Sequence, residues 1–375
     1  MNRWIAHPEA IDDGPVRLGI AVALSAVAVG LFRQQAALGL AAGAGGALLV
    51  VATVWVCYRR VGLRWFGRLW PGAAPGLATG LLFFCVCPPG LPVWLIFSLA
   101  AIAVLVEGAV HGLPVPIAMG GVIIAWPLAW LWHAHSGMGY VSPFELRPQL
   151  EPITLWSKFQ LELDPLRLYT GNVAGPMGAT SFGLAMIGFT ILAYLRKTSW
   201  LFLVAFYVPV AVAMAATHQS LPVYLISGPA LVFAGLVAAD VRKLPIAVWW
   251  KLGAGAAGGL LSALLLLRGG GYESYGAGIL GLLLLVSLFQ LFGLAWSPAV
   301  IPAEADQPRP QVAQHIAPGK LAALVVFAPF GLLLVWRDQA LPRSQRQMLA
   351  SLGMLLYLVT VGGALLWLWA LRLPA

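Results

Sequence analysis

Long apolar runs alternate with short polar connections along almost the whole chain. With about 17–25 apolar residues counted as one bilayer-spanning helix, the pattern predicts helices near 15–31, 36–57, 75–87, 91–110, 114–133, 178–195, 199–216, 222–239, 246–268, 274–296, 319–336 and 348–371, the third visibly short. The expected fold class is an all-α polytopic membrane protein. The short third run leads into TGLLFFCVCPPGLPVW, Thr79 to Trp94. Pro88 and Pro89 forbid continuation of a helix, because neither has a backbone N–H and each clashes with the turn before it. This reads as a helix end at the bilayer surface, followed by a rigid restart at Leu91, Pro92 and Trp94.

The segment 134–177 is the sizeable hydrophilic interruption, with Glu145, Arg147, Glu151, Lys158, Glu162, Asp164 and Arg167. It divides the first ten predicted helices into two halves of five, 15–133 and 178–296. Such a division is what a two-fold internal repeat would produce, and repeats of this kind often build a central site where the halves meet. The sequence itself shows no clear self-similarity. Residues 1–14 form a short polar tail with no cleavage site after the first apolar run. The stretch 297–318, rich in proline, alanine and glutamine, reads as a linker, and 319–375 as an appended helical pair.

Composition strengthens the membrane reading, with 61% hydrophobic and 9% charged residues. The net charge of +9, from 22 basic and 13 acidic residues, is concentrated in short connections rather than in a basic face. Nucleic-acid binding is therefore a poor reading of it. By the positive-inside rule, Arg59, Arg60, Arg64 and Arg68 place their loop in the cytoplasm. Arg196–Lys197 and Arg242–Lys243 agree, as does a cytoplasmic N-terminus, and segment 134–177 falls outside. The loop 337–347, with Arg337, Arg343 and Arg346, would also fall outside, against the rule.

Candidate chemistry is sparse. No Ser-His-Asp arrangement, P-loop, paired catalytic carboxylates or HExxH occurs, so no catalytic residue and no metal site are expected. Cys85 and Cys87 read as small apolar fillers. His133 and His135 read as interfacial residues, and Trp126, Trp130, Trp132, Trp249 and Trp250 as an interfacial belt. Two carboxylates are candidates for an ion pathway, since charge inside a membrane usually marks one. Glu107 near the end of the fourth helix has snorkelling to the interface as its alternative, and Asp240 at the end of the eighth that of a solvated loop charge. Gly171 to Ser181 joins several glycines to a following helix N-terminus, where unpaired N–H groups favour an anion. A phosphate site over Gly171, Asn172, Gly178, Thr180 and Ser181 stands beside plain N-capping of a membrane helix by Thr180.

Four spaced segments share one pattern. TGLLFFCVCPPGLPVW at 79–94 resembles the "TGLLLAL-LPP-LPWW" run of the D subunit of Rnf electron-transport complexes and the related B subunit of the sodium-pumping NADH:quinone reductase. Tyr169 to Trp200, YTGNVAGPMGATSFGLAMIGFTILAYLRKTSW, is similar to that family's "GN-PGSLGETSALAILLGG…LL…ISW". PVPIAM at 114–119 with Trp126–Pro127 stands where the family has "NPFNPAM" and "FP". LVFAGLVAADV…GGGY, Leu231 to Tyr272, stands for "GAFFMATDPV…GGYP". Order and spacing agree over about residues 15–296.

The resemblance implies a ten-helix core related to urea transporters, in a multi-pass protein of the bacterial inner membrane. It implies a subunit that holds FMN or riboflavin and passes electrons beside other integral membrane subunits, with coupling to Na⁺ or H⁺ movement. The chain would be at most a redox subunit of a larger oxidoreductase. In the family FMN is joined through its phosphate to a threonine of an "SGAT" motif. Here Gly178–Ala179–Thr180 aligns with "GETS", and Thr154, in LEPITLWSKF, is the threonine in the comparable upstream place. Both asparagines of "NPFNPAM" are absent. The alternative is therefore a divergent paralogue without covalent flavin, a transporter-like or scaffold subunit of another membrane complex.

Overall fold

A computed structural model describes residues 14–60, 73–112, 120–136, 139–161, 163–240 and 248–291, and for 57–60, 109–112 and 288–291 the backbone alone. The chain divides into two units, and the second, Ala299–Ala375, lies outside the described residues. The linker 297–318 and the predicted helices 319–336 and 348–371 fall there too. The described residues are all-α. The helices are α1 (Gly14–Arg60), α2 (Ala73–Val86), α3 (Val93–Gly112), α4 (Gly121–Ser136), α5 (Pro152–Phe159), α6 (Pro165–Thr170), α7 (Phe182–Tyr194), α8 (Trp200–Ala216), α9 (Leu221–Leu225) and α10 (Gly228–Leu231). A π-helical segment, Val232–Ala238, continues α10, and α11 (Val248–Leu267) and α12 (Glu273–Leu291) follow.

Two described helices, Gly14–Val56 and Val248–Leu267, are long and apolar enough to cross a membrane, as an α-helical membrane protein requires. The first is about 65 Å of helix at 1.5 Å per residue, twice a bilayer core, and it does not run straight. Arg33 leaves helical geometry at φ 50°, ψ −125°. Ser25 before it and Gly39 and Gly43 after it all meet residues 84–85 of α2. The chain therefore doubles back at Arg33, and α1 is a hairpin matching the separate predictions 15–31 and 36–57.

Contacts sort the connections into two ends. At one end the Leu31 carbonyl accepts the Phe144 N–H at 2.8 Å, Trp156 Nε1 donates to Gln219 Oε1 at 3.0 Å, and Glu151 meets the turn before α12. At the other, Arg17 Nη2 reaches Asp240 Oδ2 at 3.2 Å and the Lys197 carbonyl at 3.4 Å. Small residues let the helices between approach closely. A Cβ on Gly46 would strike the Phe97 carbonyl, and one on Gly259 the Phe206 carbonyl.

The Pro88–Pro89 break is not at a surface. Residues 81–89 are buried, and Cys85 Sγ lies 3.6 Å from Ser25 Oγ, about 12 Å along the helix from the Arg33 turn. α2 thus stops at mid-depth and α3 starts back from there. The 222–239 run, predicted as one helix, is also interrupted: α9 ends before Ile226, and Ser227 caps α10 by accepting the Ala230 N–H at 3.4 Å. The predicted helix 178–195 begins only at Phe182. Residues 171–181 instead form an ordered loop that docks on the break.

That docking completes the backbone. A helix carbonyl at position i is met by the N–H at i+4, so Pro88 and Pro89 leave the Phe84 and Cys85 carbonyls without helical donors. Cys87 N–H turns back to the Phe84 carbonyl at 3.1 Å, and Gly178 N–H supplies the Cys85 carbonyl at 3.0 Å. Met177 N–H meets the Cys87 carbonyl, also at 3.0 Å. A Cβ on Gly178 would sit 2.6 Å from Cys85 Sγ and 2.9 Å from its Cα, and backbone cannot yield as a flexible side chain can. Gly178→Val is expected to destabilise the protein by about 3 kcal/mol through overpacking and loss of the buried hydrogen bond. In a Cys57→Ser background, maleimide labelling of Cys85 and Cys87, both buried, checks this: the parent stays unlabelled until unfolded, and the variant labels under native conditions.

Candidate functional site

Three chain interruptions meet at mid-depth: the end of α2, the loop 171–181 with the N-terminus of α7, and the start of α10. The loop is framed by two caps. Asp164 accepts the Leu166 N–H at 2.9 Å and starts α6, and Gly171, at φ 89°, ends it by donating to the Arg167 carbonyl at 2.9 Å. Ser181 then caps α7 by accepting the Leu184 N–H at 3.3 Å, and its hydroxyl donates to the Tyr169 carbonyl at 3.3 Å. The cap is thus Ser181 and not Thr180. Thr180 is 2% exposed, and its hydroxyl has no hydrogen-bond partner.

The residues expected to hold a phosphate are here, and most are already engaged. Such a site needs convergent N–H donors and room for close approach. The Gly171, Met177 and Gly178 amides all donate to carbonyls. The space beside Gly171 is filled by Ser181, beside Gly175 by Tyr272 and Thr180, and beside Gly178 by Cys85. A Cβ on Gly228 would collide with the Ala179 carbonyl, so α10 closes the remaining side. Asn172 is exposed and faces away from this packed core. The loop does not fit a flavin phosphate.

Thr154 lies elsewhere, on α5 at one end of the protein. Its hydroxyl donates to Glu151 Oε1 at 3.0 Å. A phosphate ester at that oxygen would break this hydrogen bond and crowd the Glu151 carboxyl, which is 4% exposed, so Thr154 is a poor fit as well.

Both ion-pathway candidates hold the fold together. Glu107, 8% exposed, accepts the Gly121 N–H at 2.7 Å through Oε2. It satisfies the start of α4, where a Cβ on Gly121 would collide with the Ala103 carbonyl. Asp240, 1% exposed, pairs with Arg17, beside the contact in which Ser199 N–H donates to the Ala239 carbonyl at 2.8 Å. The pair ties α1 to the end of the π-helical segment. His133 lies against Tyr140 with ring centres 5.1 Å apart, and among the described residues no three His, Cys, Asp or Glu converge as metal ligands.

Sequence reading passed over Glu151. It was visible as one charge in a polar segment, yet it is 4% exposed and accepts the Tyr272 N–H at 2.9 Å. The isolated Glu–Pro pair before a short amphipathic run was the available signal, and its partner 121 residues away was not. Comparison with known proteins adds no assignment: no family model and no curated protein matches the chain.

A buried ion pair broken on one side strands a charge, whereas replacing both partners by apolar groups does not. Asp240→Asn is therefore expected to destabilise by about 3–5 kcal/mol. The double variant Arg17→Leu/Asp240→Leu should recover most of that loss. Unfolding midpoints of the purified protein in detergent for the single and double variants check the coupling, and additive losses would exclude it.

Proposed function

We propose that this chain is a multi-pass membrane subunit of the Rnf/Nqr type in its divergent form, a scaffold or transporter-like subunit without covalent flavin. It works beside other integral membrane subunits of another membrane complex, in a bacterial inner membrane. The observation that carries the reading is the use of the Met177 and Gly178 amides by the Cys87 and Cys85 carbonyls. The loop that resembles the family's flavin-neighbouring segment is here a structural plug. Ten apolar segments support the ten-helix layout: the two limbs of α1, then α2, α3, α4, α7, α8, the interrupted α9–α10 segment, α11 and α12. Exposed Val22, Leu49, Leu105, Val212, Leu264 and Leu285 give these helices a face suited to lipid. The basic connections at the Arg17–Asp240 end make that end cytoplasmic.

One observation favours the other form, a flavin-holding electron carrier with Na⁺ or H⁺ coupling. Thr180 keeps a buried hydroxyl without a partner at the N-terminus of α7. The two forms separate on a denaturing gel of protein made in a strain competent for flavin transfer. A band with no flavin fluorescence, and a purified sample with no flavin absorbance, is the expected result. A fluorescent band abolished by Thr180→Ala or by Thr154→Ala would overturn the scaffold reading.

A further inference from the structure

Glu151 and Glu273 come from distant parts of the chain and hold consecutive amides of one turn. Glu151 Oε2 accepts the Tyr272 N–H at 2.9 Å, and Glu273 Oε1 accepts the Gly271 N–H at 2.9 Å. Gly271 admits this approach because it lacks a side chain: a Cβ there would collide with the Glu151 carboxylate and lie 2.9 Å from Glu273 Oε2. Through Glu151 the segment joining α4 to α7 is anchored on the turn between α11 and α12. The groups facing Glu151 are Thr154 from α5, Glu273 and Tyr275 from α12, Tyr272 from the turn, Tyr224 from α9 and Tyr140 from the joining segment. Among the described residues neither carboxylate has a salt-bridge partner.

We propose that Glu151 and Glu273 form a pH-sensitive latch. With Glu151 protonated, the joining segment is docked on the turn before α12. Loss of the proton sets two carboxylates against one turn and releases the segment. Thr154 Oγ1 lies 3.0 Å from Oε1, so a proton on Oε1 would reverse that hydrogen bond by rotation of the hydroxyl, while Oε2 still accepts the Tyr272 N–H. Burial, and then the charge of Glu273, push the Glu151 carboxyl up to about 8. When undocked, Glu151 returns to the ordinary carboxylate range. The docked state thus binds the proton more tightly, so its advantage is full below that range, declines as pH rises, and is gone above about 8. This inference is independent of whether flavin is held.

The test uses full-length protein in bilayer nanodiscs with Cys57→Ser and a spin label at Ser157→Cys on α5, an exposed position. The label's spectrum should sharpen reversibly as pH is raised from 4 to 10, with a midpoint above the ordinary carboxylate range and no higher than about 8. Glu151→Gln should keep the label immobilised throughout. Glu273→Gln, which removes the like charge, should lower the midpoint by about 1 pH unit. A parent spectrum constant across the range, or a Glu151→Gln titration identical to the parent's, overturns the latch. If Glu151→Gln does not fold, Glu273→Gln decides, and an unchanged midpoint overturns the proposal.

Discussion

Two hydrogen bonds, from Gly178 N–H to the Cys85 carbonyl and from Met177 N–H to the Cys87 carbonyl, are what the core depends on. The adjacent prolines create the need for a donor, since neither can supply an N–H to the turn before it. In an apolar interior a carbonyl left unpaired costs about 1–3 kcal/mol, and water is not at hand to repair it. The loop between α6 and α7 supplies the missing donors from the other half of the chain. That single requirement explains the lack of side chains at Gly178 and Gly228, the cap at Ser181 and the burial of Thr180. It also stops α2 at mid-depth.

The same requirement limits what the loop can bind. Amides turned toward protein carbonyls are not free for an anion, and the space that glycines usually leave for a phosphate is filled by Cys85, Ser181 and Tyr272. A motif can therefore keep its glycines and its serine cap while its donors serve another purpose. Glu107 and Asp240 make the parallel point for charge. One caps a helix and the other closes an ion pair with Arg17, so each buried carboxylate is accounted for by the backbone or cation it meets.

Helix placement was legible wherever a run was long and uniformly apolar. The two limbs of α1, with α8, α11 and α12, begin and end within a few residues of the sequence expectation, because burying an apolar run in lipid or core is a local property. Depth was not legible. Pro88–Pro89 announced a helix end but not that it lies beside Ser25, since that depends on the Arg33 turn bringing both limbs of α1 past it. The late start of α7 and the break before Ser227 were hidden in apolar sequence, where serine caps are the one local sign. Glu151 was missed for a related reason: its burial is set by Gly271 and Tyr272, far along the chain.

Residue-resolved hydrogen exchange of the full-length protein in bilayer nanodiscs reads whether the loop seals the proline break. This arrangement predicts that the Met177 and Gly178 amides are as protected as the helical amides of α7. Exchange of these two at the rate of the exposed Asn172 segment would show that the loop does not seal the proline break, and would contradict it.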